Sequence, residues 1–124
     1  MAFSSIIFLE EVEEVINSIR KNSEFQKVYK EGISYANKYL VMYVLPNECG
    51  YNQLGISVSK KVGNSVVRHR ITRLIREAYR LNENRFNSSL NLVVVARVSA
   101  KDRSFQEIES AFLHLGRLHK IIGQ

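Results

Sequence analysis

The stretch from Lys60 to Arg80 is rich in side chains that can bind an anion, because it holds seven Lys or Arg residues and a single acid, Glu77. At about 100° per residue, a helix that includes Val67 and the residues after it would have two unlike faces. The apolar face, which we expect to pack on a core, comprises Val67, Ile71, Leu74, Ile75 and Ala78. The opposite face comprises His69, Arg70, Arg73, Arg76 and Arg80, with Arg68 at its border.

A helix face made almost entirely of arginine indicates a polyanionic partner. A solvated face usually mixes Glu with Lys or Arg, whereas here only Arg73 and Glu77 are spaced to form an i,i+4 pair. Arginine can donate two parallel hydrogen bonds to a phosphate, and the helix N-terminus adds backbone N–H groups beside Lys60, Lys61 and Asn64. Two alternatives are a merely solvated basic face and a helix that binds a membrane surface or a peptide partner. The apolar side lacks Trp and Phe and is needed for the core, which disfavours the second.

The composition agrees with nucleic acid as the partner. The chain has 124 residues, a formal net charge of +6 and a pI near 9.6, and such a basic balance favours a polyanion. All Lys and Arg residues follow residue 16, whereas residues 1–16 contain Glu10, Glu11, Glu13 and Glu14. No apolar run is long enough for a membrane span, and the start lacks the basic region of a signal peptide. We therefore expect a cytoplasmic protein that binds no membrane.

No set of residues predicts a catalytic or metal site in the protein itself. Cys49 is the only cysteine, so an intramolecular disulfide is impossible and a zinc site built from cysteines is disfavoured. The acids beyond residue 16 are scattered, whereas a metal-dependent nuclease needs clustered carboxylates. His114 and His119 are five residues apart and do not share a helix face well. We expect neither a catalytic residue nor a metal ligand.

Hydrophobic periodicity predicts the elements that would position these residues. The predicted helices span residues 8–20, 24–31 with an Asn22 or Ser23 N-cap and a stop at Gly32, 65–81, and a last segment that follows a Ser104–Glu107 capping box. The buried stripe of that last helix is Ile108, Ala111, Phe112, Leu115 and Leu118. The predicted strands are Tyr39–Leu45, Leu54–Lys60 and Asn91–Val98, the last being an apolar run typical of a central strand. The order (α)αββαβα indicates one mixed α/β or α+β domain.

The first two strands have faces that could bind a single nucleic-acid strand. Alternation puts Tyr39, Val41 and Tyr43 on one face of the first strand. The second strand has a face of small residues, Gly55, Ser57 and Ser59, which suits an open surface better than a core. If the two faces lay side by side, tyrosine rings would flank a groove in which bases could stack.

Several segments resemble the protein subunit of bacterial ribonuclease P. The segment Gly55–Tyr79, GISVSKKVGNSVVRHRITRLIREAY, closely resembles the signature of that family. Arg20–Gly32, RKNSEFQKVYKEG, is similar to its first helix, and Asn91–Arg97 is similar to its last strand. The signature usually has Asn where His69 stands and a basic residue where Thr72 stands. His69 can still donate a hydrogen bond to a phosphate.

The resemblance implies a fold. It is an α+β, single-domain αβββαβα sandwich in which a mixed four-stranded sheet is packed by helices and the βαβ crossover is left-handed, against the usual right-handed rule. Residues 17–124 would form this domain, and residues 1–16 would be an N-terminal extension without a family counterpart.

The resemblance also implies a function. The protein would be the accessory subunit of a ribonucleoprotein endonuclease that removes the 5′ leader of precursor tRNA, one copy per RNA, while the RNA subunit performs the hydrolysis with Mg²⁺. The implied contacts with the RNA subunit are Lys60, Lys61, Asn64, Arg68, His69, Arg70, Arg73, Arg76 and Arg80. The implied contacts with the leader are Phe25, Tyr29, Tyr43, Ser57 and Ser59. A domain that binds RNA without belonging to an enzyme, as a ribosomal protein does, is the rival hypothesis.

Overall fold

The structure, a computed structural model, describes residues 16–123. Its helices are α1 (Asn22–Glu31), α2 (Ser65–Asn82) and α3 (Phe105–Leu118), and its strands are β1 (Ile33–Ala36), β2 (Leu40–Pro46), β3 (Gln53–Ser57) and β4 (Leu90–Ala96). Short 3-10 helices cover Glu83–Arg85 and Val98–Ala100. No helix in the described part of the chain is long and apolar enough to span a membrane.

The four strands form one mixed sheet in the order β1-β2-β4-β3. Strands β1 and β2, and β2 and β4, pair antiparallel, whereas β3 and β4 pair parallel and are connected through α2. The αβββαβα order and the mixed four-stranded sheet are therefore confirmed. The left-handed sense of the crossover stays a prediction.

Helices α2 and α3 cover one face of the sheet and build the main core. That core joins alternate residues of β2 and β4 to the apolar stripes of both helices: Leu40, Met42, Val44, Leu92, Val94, Ile71, Ile75, Ala78, Ile108, Phe112 and Leu115. Ile71, Ile75 and Ala78 are fully buried, and Val67 and Leu74 pack against the same core. The predicted core stripe of the arginine-bearing helix is thus confirmed.

Helix α1 lies on the other face of the sheet and buries a smaller cluster. Val28 packs there with Ile19 and Val93, and Phe25 lies against Gly55 on β3. The helix ends at its C-cap Gly32, as predicted, and glycine suits this position because a Cβ there would approach the backbone oxygen of Val28 to 2.6 Å. Its N-cap is Lys21, so the predicted Asn22 or Ser23 cap is wrong by one or two residues.

The chain before α1 is extended, which corrects the last five residues of the predicted helix 8–20. The Leu54 N–H donates to the Asn17 carbonyl at 2.8 Å, and the Ile19 N–H donates to the Leu54 carbonyl at 2.9 Å. Ile16 packs in the main core, whereas Ile19 packs in the α1 cluster on the other side of the sheet. Two residues on one face of a helix could not pack on opposite sides of the sheet. The spacing of Ile16 and Ile19 therefore does not reflect a helix. Residues 8–15 of the predicted helix lie outside the described residues.

Two predicted strands end earlier in the structure, and one residue of the predicted buried stripe is exposed. The second strand stops at Ser57 instead of Lys60, because the Val62 N–H donates to the Ser59 carbonyl and starts a turn. The last strand stops at Ala96 instead of Val98, where a 3-10 helix begins. Leu118 is 39% exposed, so it is not part of the buried stripe of α3.

The contact between Phe25 and Gly55 makes a prediction about stability. A Cβ at position 55 would lie 2.8 Å from the Phe25 ring and 3.2 Å from the Ile19 Cβ. We expect Gly55→Ala to lower the free energy of unfolding by about 1–3 kcal/mol, since overpacking forces neighbours to move. Chemical denaturation measures this change, with Gly123→Ala as the control because the nearest atom to its new Cβ is 3.8 Å away. Equal stability of the two variants would show that Phe25 is not seated on Gly55.

Candidate nucleic-acid interfaces

A tight turn and a side-chain cap hold the start of α2 and expose the residues before it. The Val62 N–H closes the turn on the Ser59 carbonyl at 3.1 Å, and Val62 is buried. Asn64 then caps the helix, its Oδ1 accepting from the Val67 N–H at 3.0 Å. Lys60 and Lys61 lie exposed on this turn. Their charges therefore lie beside the positive end of the helix dipole, where an anion is favoured.

The arginines along α2 present their charge on the side away from the core. His69, Arg70 and Arg73 are exposed, and Arg76 and Arg80 are half-buried. Arg70 Nη2 donates to the Arg103 carbonyl at 2.8 Å, and Arg76 Nη1 donates to Ser18 Oγ at 3.3 Å. These contacts fix the directions of two side chains and leave further guanidinium N–H groups for a ligand.

Arg68 takes a different place from the exposed arginines. Its Nε donates to the Gly63 carbonyl at 3.2 Å, and it is half-buried. Thr72 Oγ1 donates to the Arg68 carbonyl at 2.9 Å, so the Thr72 hydroxyl bonds to the backbone of its own helix one turn earlier. Arg68 therefore joins the helix to the Lys60–Asn64 turn, in agreement with its predicted position at the border of the face.

Glu77 is the one acid among residues 60–80, and it pairs with Arg80. The Arg80 Nε lies 2.8 Å from Glu77 Oε1, and Nη2 lies 2.5 Å from Oε2. Hydrogen bonding from Arg80 lowers the pKa of Glu77 from its ordinary value, despite some burial. The predicted Arg73–Glu77 pair is wrong, because the guanidinium of Arg80 occupies both carboxylate oxygens. Within residues 16–123, Arg73 makes no ion pair or hydrogen bond through its side chain.

A groove of about 370 Å³ runs along this surface. We call it the arginine groove; its lining residues are Ile16, Arg70, Arg73, Leu74, Arg76, Glu77 and Arg80. Four guanidinium groups, one neutralised carboxylate and two apolar side chains give it a strong positive balance. Phosphate groups that displace small counterions are the ligands that such a surface favours.

The predicted leader contacts from α1 and β2 meet in a row of rings. The Tyr29 and Tyr43 ring centroids are 4.9 Å apart at a steep angle, and those of Phe25 and Tyr29 are 6.3 Å apart. All three rings are partly exposed. Phe25 fills the space over Gly55, so it has a packing role as well as an exposed edge.

The sheet beside this row has a floor that the sequence did not predict. Strands β2 and β3 are not neighbours, because β4 lies between them. Tyr43 is paired in register with Val93, and Val93 with Gly55. The next row, Val41, Val95 and Ser57, is only partly buried. We call this row and the Phe25, Tyr29 and Tyr43 rings the aromatic cleft.

Tyr39 and Ser59 lie outside the aromatic cleft. Tyr39 precedes β2 and packs toward α3, with the Arg103 guanidinium 5.3 Å from its ring centroid and its hydroxyl 3.5 Å from Glu107 Oε2. The predicted face of Tyr39, Val41 and Tyr43 is therefore wrong at Tyr39, because the strand begins only at Leu40. Ser59 is exposed in the turn after β3, nearer to Lys60 than to the paired strands. Ser57 is the last residue of β3, whereas the predicted strand continued to Lys60.

Several side chains elsewhere in residues 16–123 have structural partners, and no group of three or more His, Cys, Asp or Glu residues there could hold a metal ion. The Asn37 side-chain amide contacts His114 Nδ1 at 3.1 Å. His119 Nε2 lies 2.9 Å from the Met42 carbonyl, and burial lowers the pKa of His119, which favours a neutral ring that donates through Nε2. Burial also raises the pKa of Tyr79 to about 12. None of these groups is arranged as a nucleophile with its base.

Known proteins share both the sequence and the fold. The family model described as Ribonuclease P matches residues 15–119. The chain is 62% identical over 105 residues to a ribonuclease P protein component from Lachnoclostridium phytofermentans, covering 85% of this chain and 90% of that protein. It is 50% identical to the one from Alkaliphilus metalliredigens, covering 86% and 96%. The solved RNase P protein of Staphylococcus aureus superposes with a TM-score of 0.80 at 38% identity, covering 86% of this chain and 97% of that one.

The match extends over nearly all of the described residues, including both the signature on α2 and the strands of the cleft. The chain therefore belongs to the family of ribonuclease P protein components, the accessory subunit of the ribonuclease P holoenzyme in tRNA 5′ leader processing.

Proposed function

We propose that the two surfaces bind two different RNAs. The arginine groove, with the Lys60–Asn64 turn, binds the ribonuclease P RNA, and the aromatic cleft holds the 5′ leader of precursor tRNA. The RNA subunit, with Mg²⁺ bound mainly by the RNA, performs the hydrolysis. The complex contains one copy of the protein per RNA and acts in the cytoplasm.

The excess of positive charge in the arginine groove supports its proposed binding of the ribonuclease P RNA. Among the described residues, the one carboxylate that lines the groove is paired with Arg80, so it does not neutralise Arg70, Arg73 or Arg76. Guanidinium groups spaced along one helix suit a folded RNA backbone, where phosphates follow one another at regular intervals. The side chains of the Lys60–Asn64 turn extend this surface beyond the helix N-terminus.

The second half rests on the shape and chemistry of the aromatic cleft. Tyr29 and Tyr43 pack edge to face, which fixes their rings and leaves part of each exposed. Exposed aromatic rings beside a shallow sheet surface suit unpaired bases, because every base has a face that can stack. A leader is single-stranded, whereas the body of a tRNA is largely paired. The cleft would therefore bind precursor tRNA, which has a leader, in preference to mature tRNA, which has none.

The protein supports catalysis without supplying reacting groups. Holding the leader in a fixed direction on the holoenzyme lowers the entropy that must be lost before cleavage. The neighbouring arginines and lysines reduce the repulsion between the RNA subunit and the precursor, which are both polyanions. Both effects strengthen substrate binding most when Mg²⁺ is scarce.

The arginine groove predicts a specific loss of counterion release. We expect Arg73→Ala to weaken binding of the ribonuclease P RNA and to reduce the slope of log K against log salt by about 1, as loss of one phosphate contact does. Binding titrations at several salt concentrations measure the slope. Arg117→Ala is the matched control, because Arg117 is exposed on α3 and lies outside the groove. The same slope for wild type and Arg73→Ala would rule out a direct phosphate contact.

The aromatic cleft predicts discrimination between precursor and product. We expect Tyr43→Ala to weaken holoenzyme binding of precursor tRNA by about 1–3 kcal/mol, the usual loss for one stacked base, and to leave mature tRNA binding nearly unchanged. Tyr51→Ala, at an exposed tyrosine in the β2–β3 turn, is the control. Equal losses for precursor and mature tRNA would place Tyr43 outside the path of the leader.

A further inference from the structure

The described chain begins inside the arginine groove. Ile16, the first described residue, lines the groove together with Arg70, Arg73 and Arg76. Ser18, two residues later, accepts a hydrogen bond from Arg76 Nη1. From there the backbone bonds between Asn17, Ile19 and Leu54 hold the chain along β3. The position at which residues 1–15 join the domain is therefore fixed beside the arginines.

The acidic residues of the sequence are concentrated in the segment that joins there. Glu10, Glu11, Glu13 and Glu14 precede Ile16 by two to six residues. At about 3.5 Å per extended residue they can reach roughly 7 to 20 Å from Ile16. The α2 positions from Arg70 to Arg80 cover about 15 Å at the rise of a helix. The reach of the glutamates from Ile16 is thus comparable to the part of α2 that lines the groove.

The chemistry of the segment is also complementary to the groove. Its glutamates alternate with apolar residues, Leu9, Val12 and Val15. The groove has an apolar part, Leu74 and Ile16, beside its guanidinium groups. An acidic segment tethered to the domain acts at a high effective concentration, so even weak ion pairs can compete with a separate polyanion.

We propose that the segment Glu10–Glu14 docks in the arginine groove and competes there with RNA. The competition with RNA rests on the proposed function of the groove, whereas the docking itself concerns the free protein. RNA must displace the glutamates to reach Arg73 and Arg76. The glutamates then take up cations, which offsets part of the counterion release. The segment therefore lowers both the affinity for RNA and its salt dependence.

The docking is tested on the free, full-length protein without RNA. The variant Glu13→Gln with Glu14→Gln removes two charges next to Ile16. Its matched control is Glu31→Gln with Glu48→Gln, which removes two exposed carboxylates at the end of α1 and in the β2–β3 turn. We expect the Arg73 and Arg76 Nε–H resonances to shift in the first variant and in wild type at high salt. They should not shift in the control variant. Unchanged arginine resonances in the first variant would overturn the docking.

The competition is tested by titrating the same proteins with ribonuclease P RNA at low salt. We expect the Glu13 and Glu14 variant to bind about three- to tenfold more tightly than wild type, as loss of two surface ion pairs predicts, with a steeper salt slope. The control pair should change affinity much less. Equal gains for the two variants would reduce the effect to net charge and overturn the competition. If the arginine resonances shift in the Glu13 and Glu14 variant but the wild-type protein binds no RNA, the docking would stand and the proposed function would be wrong.

Discussion

Helix α2 packs as a core element while its outer side concentrates positive charge. Its inner stripe, Ile71, Ile75 and Ala78, is fully buried against the sheet and α3. Its outer side holds arginines that repel one another, and the Glu77 carboxylate beside them pairs with Arg80. The burial of the stripe has to stabilise the helix against this repulsion, since packing contributes most of the stability of helices in proteins. The rest of the fold, the cap at Asn64 and the sheet included, serves to hold α2 in this position.

The same sheet separates the two surfaces. Helices α2 and α3 cover the face that builds the main core, so the aromatic cleft lies on the other face. Helix α1 is short, and its cluster is centred on the row that contains Tyr43, Val93 and Gly55. Phe25 on Gly55 anchors the helix there. The neighbouring row of Val41, Val95 and Ser57 therefore stays partly open beside the tyrosine rings. A larger residue at position 55 would move the helix that forms one wall of the cleft.

The sequence was sufficient for elements that show a strong local pattern. Helix α2, its Asn64 cap, the Ser104–Glu107 box and the alternation of Leu40, Met42 and Val44 all follow from spacing and capping chemistry. The residue pattern did not predict strand β1, because its four residues are exposed at the edge of the sheet and so lack the alternation of burial. The resemblance to a known family supplied that strand instead.

Features set by long-range pairing were beyond the local pattern. The insertion of β4 between β2 and β3 decides which residues form the floor of the cleft, and no spacing in the chain encodes it. The apolar residues Ile16 and Ile19 looked helical, yet each packs on a different side of the sheet. Similarly, the choice of Arg80 over Arg73 by Glu77 depends on rotamers. In the first two cases the missing information was a tertiary contact, and in the third it was the side-chain conformation within one helix.

Tethered cleavage can show whether the arginine groove and the aromatic cleft hold different RNAs. A cleavage reagent is attached to the introduced cysteine of one of two variants, both of which also carry Cys49→Ser. The first is Val66→Cys, at a position 75% exposed at the start of α2. The second is Ala36→Cys, at an exposed position of β1 that pairs with Val41 of β2. In the holoenzyme with precursor tRNA, the reagent at position 66 should cut the ribonuclease P RNA. The reagent at position 36 should cut the leader. Cleavage of the same RNA from both positions, or the reverse pattern, would contradict the account.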